Sequence, residues 1–149
     1  EKVLTECEAR FATNFSTHNT FQIWREWVGN AVRYLFKSGF DKHKKEQLCS
    51  ASSLMNDNYM LIIYSGYEDI LTKYLAKDFQ MNPEHHRLPR LVAGMLCNGN
   101  EAALKRCANK DGGRDSLADQ DSVISETVAV IDDVACIFGE HITLKRSAD

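Results

Sequence analysis

The side chains of this sequence suited to chemistry are five cysteines, five histidines and two pairs of adjacent carboxylates. Structural zinc takes four thiolate or imidazole ligands at short spacing. Cys97 and Cys107 with His85 and His86 come nearest, but neither a C-x-x-C nor an H-x-x-x-H spacing is present. A calcium loop opening at Asp111 wants acids at its third and twelfth positions, where Gly113 and Ser122 stand. Glu68-Asp69 and Asp132-Asp133 would do acid/base work if buried, yet adjacent acids in an amphipathic helix belong to its solvent edge. Asn98-Gly99-Asn100-Glu101 lacks the Lys-Ser/Thr of a phosphate loop, and Gly112-Gly113 follows no strand pattern. No serine sits in a nucleophile elbow and no Glu-x-x-His marks a di-iron bundle. The expectation is a non-enzymatic protein with no metal and no cofactor.

The elements that carry these residues all have one period. Apolar residues recur at helical spacing throughout, most clearly Val123, Ile124, Thr127, Val128, Ile131, Val134, Ala135 and Phe138. With 2 Pro and 8 Gly there are few helix breakers. An all-α fold is predicted, a single compact bundle of six to seven helices, over about 2–15, 20–38, 42–54, 58–78, 89–97, 101–108 and 120–138. Two are expected to be central. The second carries Phe21, Ile23, Trp24, Trp27, Val28, Ala31, Val32, Leu35 and Phe36 on more than one face; the helix at about 58–78 holds Met60, Ile63, Ile70, Leu71 and Leu75. Asn82-Pro83-Glu84 reads as N-cap, first helical position and first-turn acid, and Pro89 as a restart. Asn98-Gly99-Asn100 reads as a break between the fifth and sixth helices, residues 109–119 as a polar surface loop, and 141–146 as a short extension or frayed end.

At 149 residues, 44% hydrophobic and 26% charged, the chain suits one domain over 1–149 that buries roughly two-thirds of its unfolded surface. It opens with Glu1-Lys2-Val3 and reads as a domain cut from a longer protein. No run approaches the ~18 apolar residues of a membrane span. An odd number of cysteines, four of them (including Cys7 and Cys136) set within helical apolar patterns, points to free thiols in a reducing, intracellular (cytoplasmic or nuclear) setting. Cys97 and Cys107, on either side of the expected break, form the one pair placed to bridge under oxidation. The net charge of −3 falls in the second half of the chain, and no Lys or Arg occurs between Asp115 and Leu144, a surface that repels phosphate backbones and attracts basic partners.

Two surfaces suggest partners. Tyr59, Tyr64, Tyr67 and Tyr74 spread around the helix at 58–78, more tyrosines than one buried face holds, and predict a tyrosine-lined groove for another protein or peptide segment. Trp24 and Trp27, three apart, read as core. The alternative is nucleic-acid binding through a basic edge over about 33–45, made by Arg33, Lys37, Lys42, Lys44 and Lys45. The functional expectation is a helical protein–protein interaction domain, an adaptor or scaffold that holds a partner segment in a groove.

Overall fold

A computed structural model describes residues 2–37, 54–109 and 120–146. Among them are five α-helices, α1 (Lys2–Asn14), α2 (Thr20–Lys37), α3 (Leu54–Phe79), α4 (Leu88–Asn109) and α5 (Gln120–Phe138), closed by a 3-10 turn at Gly139–His141. The described residues contain no strand, and none of their helices is long and apolar enough to cross a membrane. The helix expected over 42–54 and the loop expected over 109–119 lie outside the described residues, apart from the overlaps at Leu54 and Asn109.

Among the described residues five helices stand where six were expected, and the reason lies in α4. The sequence Asn98-Gly99-Asn100 has turn chemistry but runs uninterrupted through this helix. Gly99 is there for packing, because a Cβ at that position would sit 2.5 Å from Cγ1 of Val130 on α5. Asn100 is buried, takes the Trp24 indole N–H on its Oδ1 at 2.9 Å, and donates through Nδ2 to the Thr127 carbonyl at 2.9 Å. The Thr127 hydroxyl in turn donates back to Val123 O at 2.9 Å. A polar triplet that would end an isolated helix is thus satisfied from α2 and α5, and tertiary contacts override local propensity.

The expected helix start at Pro83 is also corrected. Asn82 Oδ1 accepts Glu84 N–H and Asn82 O accepts the N–H groups of His85 and His86, one turn that goes no further. Continuing it would place Pro89 in a helix interior, where its ring strikes a carbonyl one turn back. The chain restarts at Leu88, with Pro89 in the first turn of α4, where its missing N–H has no helical partner to lose.

One core unites the bundle. Cys7 and Phe11 of α1, Phe21, Ile23, Trp24 and Val28 of α2, Ile70, Leu71, Tyr74, Leu75 and Phe79 of α3, Val92, Ala93, Leu96 and Cys97 of α4, and Ile131 and Val134 of α5 are all buried in it. Each large aliphatic or aromatic side chain so buried contributes roughly 1.5–3 kcal/mol of transfer free energy. A smaller cluster of Val32, Cys107 and Val123 lies apart from it. α4 packs on α3 and α5, α5 also packs on α2, and α1 bridges α2 and α3. Gly66 lets α1 approach α3, since a Cβ there would collide with the Leu4 side chain.

The helix ends around α3 are tied together by side chains far apart in sequence. Asn19 and Gln22 form a reciprocal cap on α2, Gln22 N–H to Asn19 Oδ1 at 3.0 Å and Asn19 N–H to Gln22 Oε1 at 2.9 Å. α3 ends with Gln80 in the left-handed region at φ 54, Met81 N–H reaching Ala76 O and Gln80 N–H reaching Lys77 O. Residues 141–146, expected as a short extension or frayed end, extend across this terminus: Thr143 and Leu144 donate their backbone N–H groups to Asp78 O at 2.8 and 3.1 Å.

Of the cysteines, Cys7, Cys97, Cys107 and Cys136 are free. The expectation that Cys97 and Cys107 flank a turn is corrected, since both are buried in α4. Cys136 is exposed rather than buried, and Cys49 lies outside the described residues. Burial, reinforced by Glu8 at Cys7 and Glu68 at Cys97, pushes both thiols from 9.0 up to about 12. Thiolate being the reactive form, peptide mapping after brief alkylation of native protein should find Cys136 modified and Cys7 and Cys97 intact. The folded thiols hold their protons to about 12 whereas unfolded ones release them near pH 8.5. Stability should therefore be unaffected by these groups below pH 8 and fall as pH rises above 9. Rapid modification of Cys7 in folded protein would contradict the buried placement.

Candidate functional site

Of the four tyrosines expected to line a groove, two have described side chains, Tyr67 and Tyr74, and both pack inward. Tyr74 is 3% exposed, stacks on Phe11 at 5.0 Å, and donates its hydroxyl to Glu8 Oε1 at 3.2 Å. Burial, then the Glu8 charge, pushes its phenol above the ordinary value. Tyr67 is half-buried between Trp24 and Trp27, edge-on to both at 5.2 and 6.5 Å. Tyr59 and Tyr64 belong to α3, with side chains outside the described residues. Tyr67 and Tyr74 are drawn inward because α1 and α2 pack on α3, Tyr74 against Phe11 and Glu8 and the Tyr67 ring against Trp24 and Trp27.

The basic edge divides similarly. Arg33 and Lys37 are exposed toward the end of α2, and Lys42, Lys44 and Lys45 lie outside the described residues. Arg33 donates to Asn30 Oδ1 at 3.2 Å and forms no ion pair among the described residues. The zinc-like set is not assembled either: His85 and His86 are exposed before α4, and Cys97 and Cys107 are buried along it. Among the described residues, no group of three or more His, Cys, Asp and Glu side chains is placed to hold a metal ion. Three of the four paired carboxylates are engaged in ion pairs, Glu68 and Asp69 with Arg90 at 3.2 and 3.0 Å and Asp132 with Arg25 at 3.0 Å.

Among the described residues, two surface grooves could take a ligand. One, of about 530 Å³, runs between α3 and α4 past Asp69, Lys73, Lys77 and Arg90. Its cations already have partners. Lys73 meets Glu8 at 2.6 Å, a bond that raises its pKa; Arg90 is raised likewise by Asp69 and Glu68; Lys77 lies over the Tyr74 ring at 4.9 Å. A ligand here would have to break these pairs.

The other groove, of about 580 Å³, lies between α2 and α5. Gly29, Ile124, Val128 and Ala129 are its apolar lining, with Gln22, Arg25, Glu26 and Arg33 along the α2 rim and Asp121, Ser125 and Asp132 along the α5 rim. The helices run antiparallel here, so Arg25 pairs with Asp132 at one end while Arg33 and Asp121 lie toward the other. Gly29 is the informative residue. A glycine inside a helix costs about 1 kcal/mol relative to alanine, a cost explained at Gly66 and Gly99 by close approach of another helix. At Gly29 a Cβ would meet nothing nearer than the flexible tip of Arg33, Nη1 at 3.3 Å. The core does not need this glycine; its effect is to hollow the groove floor. The signal was present in the sequence, a lone glycine within the strongest apolar helix, but its meaning depends on which face meets α5.

No protein-family model matches this chain, and no curated protein or solved structure is similar to it.

Proposed function

We propose that this chain is a non-catalytic helical interaction module that receives an amphipathic helix of a partner protein in the α2–α5 groove. The supporting observation is Gly29, which with Ser125 and Ala129 keeps part of the trough small-sided between the longer side chains of its rims, the condition under which a third helix can seat its apolar ridge between two others. Ile124 and Val128 are half-buried there and supply apolar contact. The rims carry both signs of charge, so they orient a ligand more than they attract one. Arg33, with no ion pair among the described residues, is the natural partner for an acid on the incoming helix.

The test is selection of helical peptides from a displayed library against the whole chain, followed by their affinity for Gly29→Leu and Ala129→Trp variants. Ala129 is exposed, and a side chain at Gly29 meets only the flexible tip of Arg33, which can swing aside, so melting temperatures should stay close to wild type. Selected peptides should lose at least ~10-fold in affinity, about 1.4 kcal/mol. Peptides that bind wild type and both variants equally would sink the groove assignment. Binding to RNA that falls steeply with salt and ignores both variants would favour the basic edge instead.

A further inference from the structure

Residues 142–146 have no regular secondary structure, yet they are held by one site in full detail. Thr143 and Leu144 N–H groups donate to Asp78 O, and the Thr143 hydroxyl donates to Phe79 O at 3.2 Å. These are carbonyls at the end of α3, which no helical N–H satisfies. Two residues further on, the Arg146 guanidinium donates from Nη2 to Asp78 Oδ1, from Nε to His18 O at 3.3 Å and from Nη1 to Leu144 O at 3.2 Å, with its central carbon 4.5 Å from the Phe15 ring centroid.

The receiving side has supports of its own. Asp78 is completely buried, and its second oxygen is held by the Thr20 N–H at 2.7 Å and the Thr20 hydroxyl at 2.5 Å, at the start of α2. Phe15 is braced by Tyr74, centroids 5.1 Å apart. A buried carboxylate, an aromatic ring and a backbone carbonyl, spread over the reach of one side chain, match a planar guanidinium, whose separate nitrogens serve separate acceptors while its plane lies on the ring, better than a compact ammonium such as that of Lys77, which sits 5.9 Å over the same ring.

We propose that the recess framed by Phe15, His18, Asp78 and Phe79 is an arginine-reading site for an extended Thr-x-x-Arg segment. Its resident ligand is the chain's own tail, and the same segment presented by another polypeptide competes for it. The recess shares no residue with the lining of the α2–α5 groove, so this reading stands apart from the function proposed above.

The experiment uses the full chain carrying Arg146→Ala. Its melting temperature should drop by several degrees, millimolar ethylguanidinium should restore at least half of the loss, and ethylammonium should restore none. A labelled Ile-Thr-Leu-Lys-Arg peptide should bind this variant at least ~10-fold more tightly than it binds wild type, whose own tail occupies the recess; the same peptide ending in citrulline should not bind. If Arg146→Ala does not fold, Arg146→Lys takes its place in the same measurements. An unchanged melting temperature, or a folded, destabilised variant that neither ethylguanidinium nor the peptide affects, overturns the proposal.

Discussion

Replacing Trp24 by alanine is expected to destabilise the protein by about 3–5 kcal/mol, the range for removing a large aromatic side chain from a packed core. Trp24 is 4% exposed, meets Tyr67 edge-on, and is the donor that satisfies the buried Asn100 amide oxygen. The substitution therefore opens a cavity and leaves a buried acceptor without its partner, which by itself costs about 1–3 kcal/mol. Trp24→Phe separates the two contributions, since it retains most of the ring volume and removes only the N–H. It should cost less than alanine and still be clearly measurable by urea unfolding. A loss under about 1 kcal/mol for alanine would mean that α2 does not pack on α4 and α5 through this residue.

Asp78→Ala should have an effect of similar size, about 3–5 kcal/mol, because it breaks a buried ion pair from one side. Three elements meet at this carboxyl: the start of α2 through Thr20, the end of α3, and Arg146 of the tail. Its removal strips the acceptor from Thr20 N–H and hydroxyl and leaves the guanidinium, 17% exposed, without a counter-charge. Asp78→Asn retains an acceptor for Thr20 but not the charge, and should fall between alanine and wild type. Equilibrium unfolding of the three proteins checks the order; an asparagine variant as unstable as alanine would assign the whole effect to the charge, and an alanine variant near wild type would remove Asp78 from the hub.

Whatever depends on one helix at a time was legible in the residue pattern. The period of Val123, Thr127, Ile131 and Val134 defines the buried face of α5, and all four are buried. The polar run Ser16 to Thr20 holds the turn and the Asn19 cap of α2, because a reciprocal cap needs only residues three apart. Trp24 was placed in the core by its own stripe. What the pattern did not decide was every feature whose cause sits on another helix. Asn98-Gly99-Asn100 stays helical because Val130, Trp24 and Thr127 meet it; Tyr74 turns inward because Phe11 and Glu8 receive both its ring and its hydroxyl. Cys136 is exposed and Cys97 buried for the same reason, since which side of a helix is the inside depends on its neighbours. Gly29 is a helix-weakening glycine by sequence and a groove floor only once α5 lies beside α2. The tail is the extreme case. Ile142 and Leu144 on alternate positions suggest no more than a short extension; its anchoring comes from Asp78 and Phe15, more than sixty positions away in sequence, and a carboxylate's need for a buried counter-charge is visible only when the fold has taken it out of water.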